Sequence, residues 1–143
     1  MTDAPDIHIQ TFIRATPEAI WEALTDASAL EAHHFNKVKV AGLDGGGYAL
    51  LDGEGNPFII ERILSEDHEK RLELSFKPSW TDVPGDGSKT VFEITQEPRS
   101  CKLVFEHFNC ANIGIGDNWH RFTASLKSYL ETGERLYLPQ SSA

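Results

Sequence analysis

Ile7, Ile9, Thr11 and Ile13 alternate along the chain with His8, Gln10, Phe12 and Arg14. A period of two is the mark of a strand with one buried face. The pattern then changes. Thr16-Pro17 sets an N-cap residue ahead of a proline at the first helical position, and Ile20, Trp21, Ala23 and Leu24 follow at helical spacing. Asp26 can cap a second short helix through Ala29 and Leu30 towards His33. Period two returns at Val38 and Val40, which alternate with lysines, and Tyr48 to Leu51, Phe58 to Leu64, Arg71 to Phe76, Thr90 to Thr95 and Lys102 to Phe108 supply the further strands. Gly45-Gly46-Gly47, Asp52 to Pro57, Glu66 to Lys70 and Glu97 to Ser100 separate these runs as turns. The longer connection Lys77 to Ser88 contains Pro78, Trp80, Pro84, Gly85 and Gly87 and reads as a loop.

One long helix is predicted at the end, from Ile113 to Leu130. Ile115, Trp119, Phe122, Leu126, Tyr129 and Leu130 recur at steps of four, three, four, three and one, which stacks them in one stripe. Gly133 follows at the position where a left-handed residue closes a helix. The predicted order is one strand, two short helices, about six further strands and one long helix. Consecutive antiparallel strands form a sheet with one face to cover, and the terminal helix is the long element available to cover it. The class is therefore α+β, one domain over residues 1–143 with its core in 7–133.

Composition narrows the partners. Twenty-two acidic against 13 basic residues give a net charge of -9, which opposes nucleic acid and anionic lipid surfaces. No run approaches the ~20 apolar residues of a membrane span, and the first ten residues have neither the basic start nor the apolar run of a signal peptide. A cytoplasmic protein with no integral membrane segment is expected. Cys101 and Cys110 flank the last strand, roughly 30 Å apart at ~3.3 Å per residue, so both are expected as free thiols. No cysteine or histidine spacing suits a structural zinc, and neither metal nor cofactor is implied.

Ile9 to Asp26, I-x-T-F-I-R-A-T-P-E-A-I-W-E-A-L-T-D, resembles the opening of the START-like (SRPBCC) superfamily, in which such a segment joins strand one to two small helices. Leu103-Val104-Phe105-Glu106-His107, Asn118-Trp119 and Leu126 to Gly133 are similar to that superfamily's closing segment. Within it, the chain is most similar to the branch of homologues of the activator of a heat-shock protein's ATPase. The resemblance covers residues 7–133 and implies the helix-grip fold, a curved antiparallel sheet of six to seven strands around a long C-terminal helix, with an apolar cavity between them. Two positions depart from the pattern: His33-His34-Phe35 stands where an aromatic usually follows the second small helix, and Asn118 replaces the glycine of a Gly-Trp pair.

The residues expected at such a cavity are Trp119, Phe122 and Leu126 on the helix, Phe105 and His107 on the last strand, Trp80 as a gate, and His33 and Phe35 at the rim. His107 shares parity with Leu103 and Phe105, so it points inward either as an acid or base or as a histidine satisfied by a backbone carbonyl or water. His33 and His34 are adjacent, point about 100° apart on a helix and do not form a metal pair. Glu61 and Arg62 sit in a strand with apolar residues of both parities, which leaves open which of them faces in. No nucleophile elbow, triad or phosphate loop is present. The leading expectation is a small-molecule binding protein, monomer or homodimer, holding an apolar or amphipathic ligand such as a lipid. The alternatives are an enzyme of the polyketide-cyclase or hydrolase type in the same cavity, with His107 as its candidate catalytic group, and a chaperone-associated stress protein.

Overall fold

The computed structural model describes residues 4–80, 85, 87–110 and 117–137. Strand β1 (Ile7–Ile13) leads into helices α1 (Pro17–Thr25) and α2 (Ala27–His33). Strands β2 (Lys39–Gly42), β3 (Gly47–Leu51), β4 (Pro57–Asp67), β5 (Arg71–Pro78), β6 (Ser88–Gln96) and β7 (Cys101–Phe108) follow, and helix α3 (Asn118–Thr132) closes the fold. Both short helices start where their caps predict: the Thr16 side chain accepts from the Ala19 N–H at 3.1 Å and the Asp26 side chain from the Ala29 N–H at 2.9 Å. Gly133, at φ 83°, ends α3 with its N–H on the Tyr129 carbonyl. The expected first turn of that helix, Ile113 to Gly116, lies outside the described residues, as do Thr81 to Pro84 of the loop after β5. The second strand starts at Lys39 rather than Val38, and β4 runs on to Asp67, three residues beyond the expected Leu64.

All seven strands form one antiparallel sheet in the order β1-β7-β6-β5-β4-β3-β2. Strands β2 to β7 meander, while β1 returns to pair with β7, so α1 and α2 connect the two edges of the sheet. Register aligns the inward side chains in rows. Ile9 pairs with Phe105, Phe105 with Phe92 and Phe92 with Leu72, and all four are buried. This is the surface that α3 covers, with Trp119, Phe122 and Leu126 buried against it. Fully burying a side chain of this size contributes roughly 1.5–3 kcal/mol, so the row and the stripe together supply much of the fold's stability. Polar contacts set the helix's position: the Ser125 hydroxyl donates to the His33 carbonyl at 2.6 Å, and Glu131 accepts from the Arg14 N–H at 2.8 Å.

Gly47 is more than a turn residue. Its φ is +104°, and a Cβ there would lie 2.2 Å from the Glu61 carbonyl oxygen. The backbone of β3 can approach β4 at this point only without a side chain.

Candidate functional site

A cavity of about 190 Å³ lies where the sheet's inner face diverges from α3 and the end of α2. Trp119 and Phe122 come from α3, Phe76 from β5, Leu50 from β3, Phe58, Ile59 and Glu61 from β4, and Leu30, His34 and Phe35 from α2 and the residues after it. Trp80, half exposed after β5, completes the wall, and its chain segment is held by the Ser79 N–H on the Phe58 carbonyl at 3.0 Å. The register of β3 on β4 shifts between Leu50 and Leu51, so Ile59 and Pro57 have partners and Phe58 does not. That irregularity lets Phe58 and Ile59, neighbours of opposite parity, both reach the cavity.

Of the residues expected at the site, Trp119, Phe122, Trp80 and Phe35 line the cavity. Leu126, Phe105, His107 and His33 do not; they are fully buried behind it. Parity alone placed His107 and Phe105 correctly on the inner face, but β7 lies under the aromatic rings of α3, with the Phe105 and Trp119 centroids 4.2 Å apart. The two adjacent histidines are also buried instead of at a rim, because the chain after α2 tucks beneath α3: the His33 ring meets Phe122 edge-on at 5.4 Å. His34, not His33, faces the cavity.

His107 is fully engaged. Its Nδ1 accepts from the Trp119 indole N–H at 2.9 Å, which places the ring proton on Nε2, 2.6 Å from the Ser88 hydroxyl. That hydroxyl in turn donates to the Phe76 carbonyl at 3.3 Å. Burial pushes the imidazole down to about 4. Protonating Nδ1 would also turn it against the indole donor, so at neutral pH the ring is a structural, uncharged link between β7, β6 and α3. The satisfaction expected from a carbonyl or water comes from two side chains instead.

Glu61 is the residue that the sequence pattern could not orient. It faces in and is 5% exposed, whereas Arg62 faces out. Its Oε1 has no hydrogen-bond partner among the described residues. Desolvation raises its carboxyl to about 8, so near neutrality it is mostly a protonated acid. Tyr48, its direct cross-strand neighbour on β3, is buried as well, and burial together with the Glu61 charge raises that phenol well above its usual range. Across the cavity, burial and then the neighbouring His33 lower His34 to about 4. Its Nδ1 accepts from the Asn36 N–H at 3.0 Å, leaving Nε2–H as the neutral ring's donor. An isolated acidic residue within an apolar strand is the sequence signal that marks Glu61; strand parity failed there because the β3–β4 ladder is irregular.

The described residues contain no group of three or more potential metal ligands, and no helix among them is long and apolar enough to cross a membrane. Both cysteines are buried free thiols.

A seven-stranded antiparallel sheet gripping a C-terminal helix, with two short helices after the first strand, defines the helix-grip class of the START-like superfamily. The family model "Activator of Hsp90 ATPase homolog 1-like protein" matches residues 14–131, and the chain belongs to that family. No curated protein matches the chain. Among solved structures, the Aha1 dimer from Colwellia psychrerythraea is similar at a TM-score of 0.70 and 23% identity, over 89% of this chain and 96% of that one. CalU16 from Micromonospora echinospora is similar at 0.71 and 19%, over 95% and 71%. DynU16, a protein of the dynemicin biosynthetic locus, is similar at 0.70 and 19%, over 94% of this chain and 51% of that one. At these identities the likeness is one of fold.

Proposed function

We propose that this chain is a small-molecule binding protein that holds a compact amphipathic ligand between the sheet and the terminal helix. The observation that carries this reading is a largely aromatic cavity with one buried carboxyl whose Oε1 lacks a partner among the described residues. Buried polar atoms without partners are rare in folded proteins, and a ligand group is one way to supply the missing bond. At about 190 Å³, the space is below the ~300 Å³ of ordinary ligand pockets. The ligand is accordingly smaller than a long-chain lipid, nearer in size to one ring with a short substituent. Native mass spectrometry after gentle purification, paired with a fragment titration followed in the NMR signals of Trp119 and Phe122, tests the reading. A retained mass or saturable shifts at those residues support it; neither a retained mass nor any cavity shift from a set of single-ring fragments sinks it.

A second reading, an enzyme of cyclase or hydrolase type, draws on Glu61 as an acid poised near neutrality beside an apolar space. His107 lends it nothing, since both ring nitrogens are occupied. Turnover in a panel of small aryl esters and epoxides that disappears in Glu61→Gln would establish it, and absence of turnover would leave binding alone. The chaperone-associated reading has the family's name and that of the Colwellia neighbour in its favour. A pull-down with a cytoplasmic heat-shock chaperone checks that, and light scattering checks whether this chain pairs as that neighbour does.

A further inference from the structure

The charge, shape and wall chemistry of the cavity favour one class of ligand over the other amphipathic molecules that would fit. Its polar lining is the Glu61 carboxyl with the neutral groups of His34, Asn36 and Asn118, and its walls are chiefly the rings of Phe35, Phe58, Phe76, Trp80, Trp119 and Phe122. Aromatic faces attract cations and repel anions. Among the described residues no lysine or arginine side chain lines this space; Arg135 acts on His34 from outside it, its guanidinium donating to the Glu31 carbonyl at 2.7 Å, so an anionic headgroup would find no counter-charge within the cavity. Tyr48 beside Glu61 on β3 and His34 at the end of α2 are the other titratable groups that border the site among the described residues. The first is a neutral phenol and the second a neutral imidazole near pH 7, so neither supplies a competing positive charge. A net charge of -9 over the whole chain further raises the local concentration of small cations.

We propose that the cavity selects a small organic cation, a protonated amine on an aryl or alicyclic skeleton, with Glu61 as its counter-ion and the aromatic wall as its second source of attraction. This rests on the reading of the cavity as a ligand site and specifies what it holds. Binding is coupled to one proton. The empty site keeps Glu61 as a neutral acid; when the ammonium group enters, the carboxyl O–H bond breaks, the proton leaves to solvent, and the carboxylate pairs with the cation, which keeps its own protons. The buried charge is then compensated instead of isolated. Below the Glu61 transition near 8, each pH unit therefore changes apparent affinity about tenfold; affinity levels off above it and falls again where the free amine loses its own proton.

The experiment titrates the full chain with benzylamine, phenethylamine and cyclohexylmethylamine, each beside its alcohol and its carboxylate analogue, by calorimetry in buffers of differing ionisation enthalpy. The expected result is at least tenfold tighter binding of the amines, release of close to one proton at pH 6.5, and loss of both the preference and the proton release in Glu61→Gln. Alcohols that bind as well as the amines, or an amine preference that survives in Glu61→Gln, overturn the cation proposal while leaving the ligand-binding reading in place. Silence from all nine probes overturns both. Glu61→Gln keeps the size of the side chain and removes a buried acid, so it folds, and its thermal melt is recorded alongside to establish that.

Discussion

The indole N–H of Trp119 donates to Nδ1 of His107 across the interface between α3 and β7, at 2.9 Å. That bond joins the two parts of the chain in which the sequence shows its clearest patterns, the terminal stripe and the last strand. It also removes His107 from any role in acid–base chemistry, because the donor dictates which ring nitrogen is bare.

Trp119→Phe keeps an aromatic at the site and deletes the donor. A buried Nδ1 left without a partner costs about 1–3 kcal/mol, readable as a lower denaturation midpoint. The indole also opposes protonation of Nδ1, so the His107 transition, held near 4 in the native protein, moves upward in the variant. NMR titration of the ring carbons measures that shift; an unchanged transition would mean that burial alone sets it.

The pH dependence of stability has two opposed limbs. His34 and His107 are held to about 4 against an ordinary 6.5, and His33 is lowered by burial as well. The unfolded chain binds these protons first, so their contribution is present above 6.5 and is lost as pH falls towards 4, by at most on the order of 3 kcal/mol for each of the two larger shifts. Glu61 runs the other way. Its folded carboxyl is raised from 4.5 to about 8, so its contribution is present below 4.5 and declines as pH rises through 8. Three histidines outweigh one acid between 4.5 and 6.5, which puts maximal stability near pH 6.5. Chemical denaturation from pH 5 to 9 should show that maximum, and Glu61→Gln should flatten the alkaline limb and stabilise the protein by on the order of 3 kcal/mol at pH 7.

Leu126 and Phe122 share the apolar stripe of α3, yet only Phe122 borders the cavity. Leu126 is completely buried, and Leu126→Ala should destabilise by about 2–5 kcal/mol with little effect on fragment binding. Phe122→Ala should enlarge the cavity and shift ligand preference towards bulkier skeletons. Parallel melts and titrations separate the two; identical binding profiles would place Phe122 outside the ligand's reach.

Gly47→Ala meets two obstacles at once, a positive φ and the Glu61 carbonyl 2.2 Å from the new Cβ. The strain of a non-glycine residue at such a φ is of order 1–3 kcal/mol before the clash is added. The variant should melt well below the parent, and its surviving folded fraction should show altered Glu61 titration, since β4 must move to admit the methyl group.

The helix-grip architecture was readable from the chain because local patterns dictate it. Thr16-Pro17 and Asp26 mark two helix starts with specific hydrogen bonds, period two marks the strands, Gly133 closes the last helix, and the stripe on α3 demands a sheet. Each of those signals acts over a few residues. The site was only half readable. The stripe, the family pattern and the loop point to Trp119, Phe122, Phe35 and Trp80, but periodicity reports which face a side chain takes, not how far it stands from a gap between faces.

What the local patterns left undecided depends on distances between elements far apart in sequence. The packing of Trp119 over Phe105 and His107 places β7 in the core and leaves the opening beside β3 and β4. A register shift of β3 against β4, set by the whole ladder, brings Phe58 to the same wall as Ile59. Glu61 is a glutamate in an apolar strand until β3, β5 and the two ends of the helices close around it. Hydrophobic periodicity determines that this chain makes a sheet and a helix to cover it. Whether an acid on that sheet lies in bulk water or against aromatic walls is settled by packing, because desolvation exists only once the elements have come together.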